Sequence, residues 1–276
     1  MMMKLVNRIY TGSNGRQSLI DLEIPENFNG NLIVFVHGFM GFKDWGAWNL
    51  VQQFFTEREF GFCKFNLSHN GGTIENGIDF PDEKAFGENC YSYEVQDIES
   101  ALHWLIQQVK NIQGIHLIGH SRGGGDVILA GRNLQTTFPL RSIHTWAAIS
   151  NIGSRFPQDL ALEEWKKEGV RYIENGRTKQ KLPQYFSLYE DYQRNASELN
   201  IEIAIKDLKI PITLYHGDKD TSVPIEEGYD LAKWNGLDLH VIKNADHVFG
   251  AVHPWRSATL PSTLMELCKL TLNHLK

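Results

Sequence analysis

A doubly wound α/β sheet, mostly parallel, is the fold the sequence predicts, and three observations predict it. Short runs of β-branched and aromatic residues without polar alternation recur along the chain, as strands buried on both faces require. Between them lie segments whose apolar residues recur every three or four positions, the spacing of one helical face. The two kinds alternate almost throughout, which is the order of a parallel sheet with crossover helices on both faces.

The first element departs from this order. Lys4–Tyr10 and Gln17–Ile24 flank Thr11-Gly12-Ser13-Asn14-Gly15, whose Asn-Gly pair signals a tight turn, so an antiparallel hairpin on one sheet edge is expected. The first buried strand is Leu32-Ile33-Val34-Phe35-Val36, stopping at His37-Gly38. Further strands are expected at Phe62–Leu67, Ile115–Ile118, Trp146–Ile149, Ile212–Tyr215 and Leu239–Ile242. Helices are expected over Trp48–Arg58, over Tyr93–Lys110, from just after Ser121 to about Leu134, over Glu226–Trp234 and over Ser262–Leu275. In the second of these Val95, Ile98, Leu102, Leu105 and Val109 share a face. The connection between Ile149 and Ile210 is many times longer than the usual loop of about 4–6 residues. Its excess, about Gly153 to Ile205, is expected to form a small helical lid inserted in a single domain spanning residues 1–276.

Composition narrows the function. With 42% hydrophobic and 22% charged residues in 276, the chain reads as an ordinary globular protein rather than a disordered, fibrous or disulfide-built one. Its net charge of −6, from 27 basic and 33 acidic residues with no dense basic run, argues against a nucleic-acid partner. No apolar run approaches the roughly 18 residues needed to cross a bilayer, and the first residues lack the apolar stretch of a signal peptide, so no membrane partner and a cytoplasmic location are expected. Cys63, Cys90 and Cys268 are far apart and form no Cys-x-x-Cys pair, and the eleven histidines include no His-Glu-x-x-His. Neither a metal nor another cofactor is expected.

The chemistry concentrates in four places. Ile118-Gly119-His120-Ser121-Arg122-Gly123-Gly124 is a Gly-x-Ser-x-Gly pattern that follows an apolar strand and opens a helix, the context such a motif requires. Glycines two residues to either side leave clearance for a strained turn. The helix N-terminus makes Arg122 N–H a candidate donor to a developing oxyanion. A second donor is expected from the turn His37-Gly38-Phe39-Met40-Gly41, with Phe39 N–H the candidate. A serine needs a base, and the base an orienting acid. Both follow Ser121 in the chain: His247 after the last strand, and an acid in His216-Gly217-Asp218-Lys219-Asp220-Thr221-Ser222-Val223-Pro224. Asp220 is preferred to Asp218, which is still leaving the sheet, and to Asp246, whose side chain should point away from its neighbour.

With these motifs in this order, the chain resembles the α/β-hydrolase superfamily on its esterase and lipase side, over roughly Leu32 to the C-terminus. It is most similar in character to small-lid bacterial carboxylesterases of the feruloyl-esterase and dienelactone-hydrolase kind. That resemblance implies an α/β-hydrolase fold, with Ser121 as nucleophile, His247 as base, Asp220 as acid, and Phe39 and Arg122 as oxyanion donors. Dienelactone hydrolases carry cysteine at the nucleophile, and dehalogenases and epoxide hydrolases aspartate, so those reactions lose support. The loop Ser68-His69-Asn70-Gly71-Gly72-Thr73 also lacks the Asp-x-Arg-Gly-His-Gly run of many relatives. The expected activity is hydrolysis of a small-molecule carboxylic ester through an acyl-enzyme. Peptidase or amidase, thioesterase and acyltransferase chemistry remain open on the same residues, as does a non-catalytic binding protein. The aromatic residues Trp165, Tyr172, Tyr185, Phe186, Tyr189 and Tyr192 either line a substrate pocket or hold the lid to the body. Trp165, Tyr189 and Phe249 are the candidate substrate-binding side chains.

Overall fold

A computed structural model of the chain describes residues 2–275. Ten strands form among the described residues: β1 (Met3–Thr11), β2 (Gln17–Ile24), β3 (Asn31–Val36), β4 (Gly61–Phe65), β5 (Gly114–His120), β6 (Leu140–Trp146), β7 (Val170–Glu174), β8 (Lys181–Tyr185), β9 (Ile212–Gly217) and β10 (Leu239–Ile242). Eight of them make one sheet in the order β1-β2-β4-β3-β5-β6-β9-β10, with β4 through β10 parallel to one another. The N-terminal hairpin β1–β2 joins β4 antiparallel and caps that edge.

Period-2 alternation explains why the central strands are apolar without interruption. Leu32, Val34 and Val36 of β3 and Leu117 of β5 pack with Ile98, Leu102, Leu105 and Val127 on one face. Ile33, Phe35 and Ile118 pack with Trp48, Phe55, Leu264 and Leu267 on the other. The helices concerned are α1 (Trp48–Thr56), α3 (Tyr91–Gln108), α4 (Arg122–Leu134), α8 (Ile225–Asn235) and α9 (Ser262–Asn273), with the short α2 (Glu83–Glu88) beside them. Among the described residues, no helix is long and apolar enough to cross a membrane.

One strand lies elsewhere than the apolar pattern suggests. β6 covers Leu140–Trp146, and Ala147-Ala148-Ile149 forms the turn after it. Its polar residues hid it: His116 Nδ1 and Ser142 Oγ are 2.7 Å apart, and so are Ser142 Oγ and His144 Nε2, all buried. Ser142 Oγ thus pairs one nitrogen of each ring, which offsets part of the cost of burying them, while His116 Nε2 and His144 Nδ1 have no partner among the described residues.

The long connection after β6 contains α5 (Asp159–Glu168), the antiparallel pair β7–β8 and α6 (Ser187–Arg194). The β7–β8 hairpin departs from the all-helical insertion expected; Pro183 sits within it on a two-stranded ribbon, where a missing N–H is tolerated. Gly169 ends α5 in the left-handed region, at φ 72°. The last helix of the connection, α7 (Ile201–Asp207), packs on α4 and α8 as a layer of the main sheet. Phe156, Trp165, Phe186, Tyr189 and Tyr192 form an aromatic cluster inside the insertion, with ring centroids 5.1–6.5 Å apart.

Candidate active site

Ser121 stands between β5 and α4 with φ 59° and ψ −122°, a conformation costly for any residue with a side chain. It persists because the chain crosses itself there. A Cβ on Gly119 would lie 2.1 Å from Gly123 O, and one on Gly123 would lie 2.5 Å from His37 O. Strand, turn and helix can therefore approach one another only through these two glycines.

Ser121 Oγ is 2.9 Å from His247 Nε2, and His247 Nδ1–H donates to Asp220 Oδ2 at 2.7 Å. His247 lies on the loop after β10 and Asp220 on the loop after β9, so three parallel strands of one sheet, β5, β9 and β10, deliver the three groups at their C-terminal ends, with β6 between the first two. The Asp220 side chain is shielded from solvent. Its Oδ1 accepts from Ser222 N–H at 2.8 Å and Val223 N–H at 2.9 Å. Burial by itself would raise the carboxyl, but hydrogen bonds from His216, His247 and Val223 N–H outweigh it and hold the group below the usual carboxylate range. Asp218 is engaged elsewhere, accepting from Asn244 N–H at 2.6 Å, and Asp246 accepts from Val248 and Gly250 N–H.

The turn after β3 is fixed by a buried histidine. His37 Nε2 accepts from Leu67 N–H at 3.2 Å, which leaves the ring proton on Nδ1, and Nδ1–H donates to Gly38 C=O at 2.9 Å. Gly41 N–H donates to the same carbonyl at 3.0 Å. Because a trans peptide sets its C=O and N–H on opposite sides, holding Gly38 C=O aims Phe39 N–H the other way. That N–H has no hydrogen-bond partner among the described residues. Arg122 is the first residue of α4, where the helix itself supplies no acceptor for the N–H. The Arg122 guanidinium lies between the Phe39 ring at 4.1 Å and the Tyr91 ring at 4.5 Å, which ties the two N–H-bearing residues together.

His120, inside the serine motif, carries a contact the sequence did not reveal. Its ring is buried against Trp48 and 4.8 Å from the His247 ring, and Nε2–H donates to His247 C=O at 2.8 Å. Burial, then the neighbouring His247, bring its pKa down to about 3, so the ring stays neutral and keeps holding the histidine loop.

Ser121 and His247 lie in the walls of two cavities. One, of about 420 Å³, is bounded by the insertion through Arg155, Phe156, Arg171, Ile173, Gln184 and Leu188. The other, of about 400 Å³, runs under Trp45, Trp48 and Met40. The candidate substrate-binding aromatics lie outside both walls. Trp165 is 2% exposed and donates its indole N–H to Gln184 C=O at 2.9 Å, behind the wall. Tyr189 faces a separate groove with Leu162, Glu163 and Lys166. Phe249 is fully buried in the core cluster on the α1 and α9 face. Aromatic content alone does not tell a wall from the packing behind it. Among the described residues, no group of three or more His, Cys, Asp or Glu side chains converges as a metal site would require.

No curated protein matches the chain. Among solved structures, it is similar to Est1E from Butyrivibrio proteoclasticus with ferulic acid bound, at TM-score 0.71 and 18% identity over 97% of this chain and 99% of that one. The esterase domain of a Rhodothermus marinus protein gives TM-score 0.58 and 17% identity, covering 91% of each chain. Dienelactone hydrolase from Anabaena variabilis gives TM-score 0.63 and 13% identity over 99% of this chain and 96% of that one. At such identities the likeness is one of fold. Residues 33–256 match the model of the alpha/beta hydrolase family, and the chain belongs to that family.

Proposed function

We propose that the protein is a serine hydrolase that cleaves carboxylic esters of small molecules through an acyl-enzyme. The observation that carries this reading is the continuous path of contacts from Asp220 through His247 to Ser121 Oγ, ending on a hydroxyl held in a strained turn at a helix N-terminus. Ser121 Oγ attacks the ester carbonyl while His247 Nε2 takes its proton. The oxygen of the tetrahedral intermediate is met by Phe39 and Arg122 N–H, each such donor contributing about 2.7–4 kcal/mol to the transition state. His247 then protonates the departing alkoxide, and water repeats the sequence to release the acid. Two cavities meeting at Ser121 suit a substrate with one group on each side of the scissile bond, and residues 153–195 wall both, through Arg171 and Gln184 on one side and Asn175, Gly176 and Arg177 on the other. The ferulic acid held by the similar Est1E structure supports a carboxylic acid product.

A fluorophosphonate probe and a panel of 4-nitrophenyl esters test the proposal. Labelling and ester turnover are both expected in the native protein and lost in Ser121→Ala. A folded native protein that neither reacts with the probe nor turns over any ester would count for a binding function instead.

A further inference from the structure

The cavity of about 420 Å³ has a charge opposite to that of the molecule. The chain carries a net −6, yet three guanidinium groups, Arg122, Arg155 and Arg171, line this cavity and no carboxylate does. Two of them are balanced from behind the wall. Arg122 Nη1 is 3.3 Å from Glu94 Oε1, and Arg155 Nη2 pairs with Glu227 Oε1. Asp126 brings no further negative charge. It is fully buried and neither carboxyl oxygen has a hydrogen-bond partner; burial, then the Glu94 charge, push its carboxyl well above the usual range, so it stays protonated.

Arg171 has no carboxylate partner among the described residues. Its cross-strand neighbour Gln184 accepts from Nε at 2.9 Å and Nη2 at 2.7 Å through a single amide oxygen. The Trp165 ring supports the guanidinium from one side at 4.2 Å. These contacts orient the group without neutralising it. Nη1 is left for a ligand, and the NH₂ of Gln184, whose oxygen is turned to Arg171, is left beside it as a second donor. A half-buried cation held rigid in the wall of a binding cavity, with its charge unbalanced, is what recognition of an anion requires.

We infer that this cavity selects esters bearing a carboxylate on the portion it holds, with Arg171 as the residue that determines the selection; the inference rests on the serine hydrolase reading above. One unbalanced positive charge matches a monoanion. A volume of about 420 Å³, at the small end of the range of about 300–1,000 Å³ for ligand sites, suits half-esters of short dicarboxylic acids or carboxylated aryl esters rather than long-chain lipids.

The test compares 4-nitrophenyl hemiadipate with 4-nitrophenyl hexanoate, which match in acyl length and differ by one charge, with the Ser121→Ala rate subtracted for each. The native protein is expected to favour the anionic ester in kcat/KM by about tenfold or more, the worth of a charge-assisted hydrogen bond, and salt is expected to reduce that ratio. Arg171→Gln should bring the ratio to about one, and Arg171→Lys should retain part of it. A merely structural role for Arg171 would lower both esters together and leave the ratio intact, which overturns the inference. So does a native ratio at or below one at low salt, a measurement that needs no variant to fold. Turnover of the hexanoate without preference for the hemiadipate sinks the substrate class alone. Turnover of neither ester above the Ser121→Ala background removes the hydrolase reading, and this inference with it.

Discussion

Replacing Asp220 with asparagine tests how a carboxylate sets the tautomer of its histidine. Oδ1 of Asp220 accepts from two backbone N–H groups, of Ser222 and Val223, so an amide at this position must put its oxygen there. Its NH₂ then faces His247 Nδ1, which in the native protein donates across 2.7 Å. Two donors cannot face each other, so the histidine moves its proton to Nε2, the atom that must be bare to receive the proton of Ser121. Flipping the amide instead would leave the Ser222 and Val223 N–H groups facing donors, at about 1–3 kcal/mol for each unsatisfied group. The expected loss in kcat is about 10⁴-fold, the cost of the wrong tautomer in serine proteases, with KM for a 4-nitrophenyl ester little changed. Asp218→Asn should keep most of the activity, since an amide oxygen can still accept from Asn244 N–H. Stability should follow with a defined sign. A carboxyl held below its usual range stabilises the fold above the unfolded value of about 3.9 and loses that contribution as pH falls toward the folded value. Asp220→Asn should therefore lower the melting temperature at pH 7, by an amount that shrinks below about pH 4. A crippled Asp218→Asn beside an active Asp220→Asn would refute this account of the loop.

Gly123→Ala would place a Cβ 2.5 Å from His37 O and 2.6 Å from Val36 O, displacing the turn that carries Phe39. Loss of about 10²-fold or more in kcat is expected if one oxyanion donor is misplaced, and a folded variant with native kcat would exclude that route. Burial brings the pKa values of His37 and His116 down to about 4 and of His120 to about 3, so below about 6.5 the unfolded chain binds protons that the folded one refuses. Each such group should cost about 1.4 kcal/mol of stability per pH unit between about 6.5 and its folded value. Asp97, pushed up to about 6 by burial, and Asp126, also raised by burial, oppose them over part of that range. Urea unfolding from pH 7 to pH 4 should show a falling midpoint, and a flat profile would contradict the assignment. Trp165→Ala removes a side chain 2% exposed and bonded to Gln184 C=O, at about 3–5 kcal/mol for a buried tryptophan. Limited proteolysis should then cut within residues 153–195 and uncharged esters should slow together. A change of preference among uncharged esters with unaltered protease resistance would return Trp165 to the cavity wall.

Features set by neighbours in the chain were legible from the residues. Strand β3 reads as an unbroken apolar run from Leu32 to Val36 because both of its faces are buried, and that necessity is written in one short run. The glycines around Ser121 are equally plain, because β5, the turn and α4 are consecutive and the crowding at Gly119 comes from Gly123. Features set by partners distant in the chain were not. β6 was expected several residues too late, at Trp146–Ile149, because Ser142 and His144 look like surface residues until His116 is placed beside them. The aromatics of the insertion were visible as residues, but whether Trp165 lines a cavity or backs its wall depends on which side β8 packs. Asp220 was preferred to Asp218 from its place in the loop, but the contacts that occupy each carboxylate, from His247 and Ser222 for one and Asn244 for the other, exist only in the folded chain. Arg171 is the furthest case. A sequence records that an arginine is present, but an unbalanced charge is a relation among Arg171, Gln184, Glu94 and Glu227. Coulomb energy and desolvation depend on separation in space, so that relation exists only once the chain has folded.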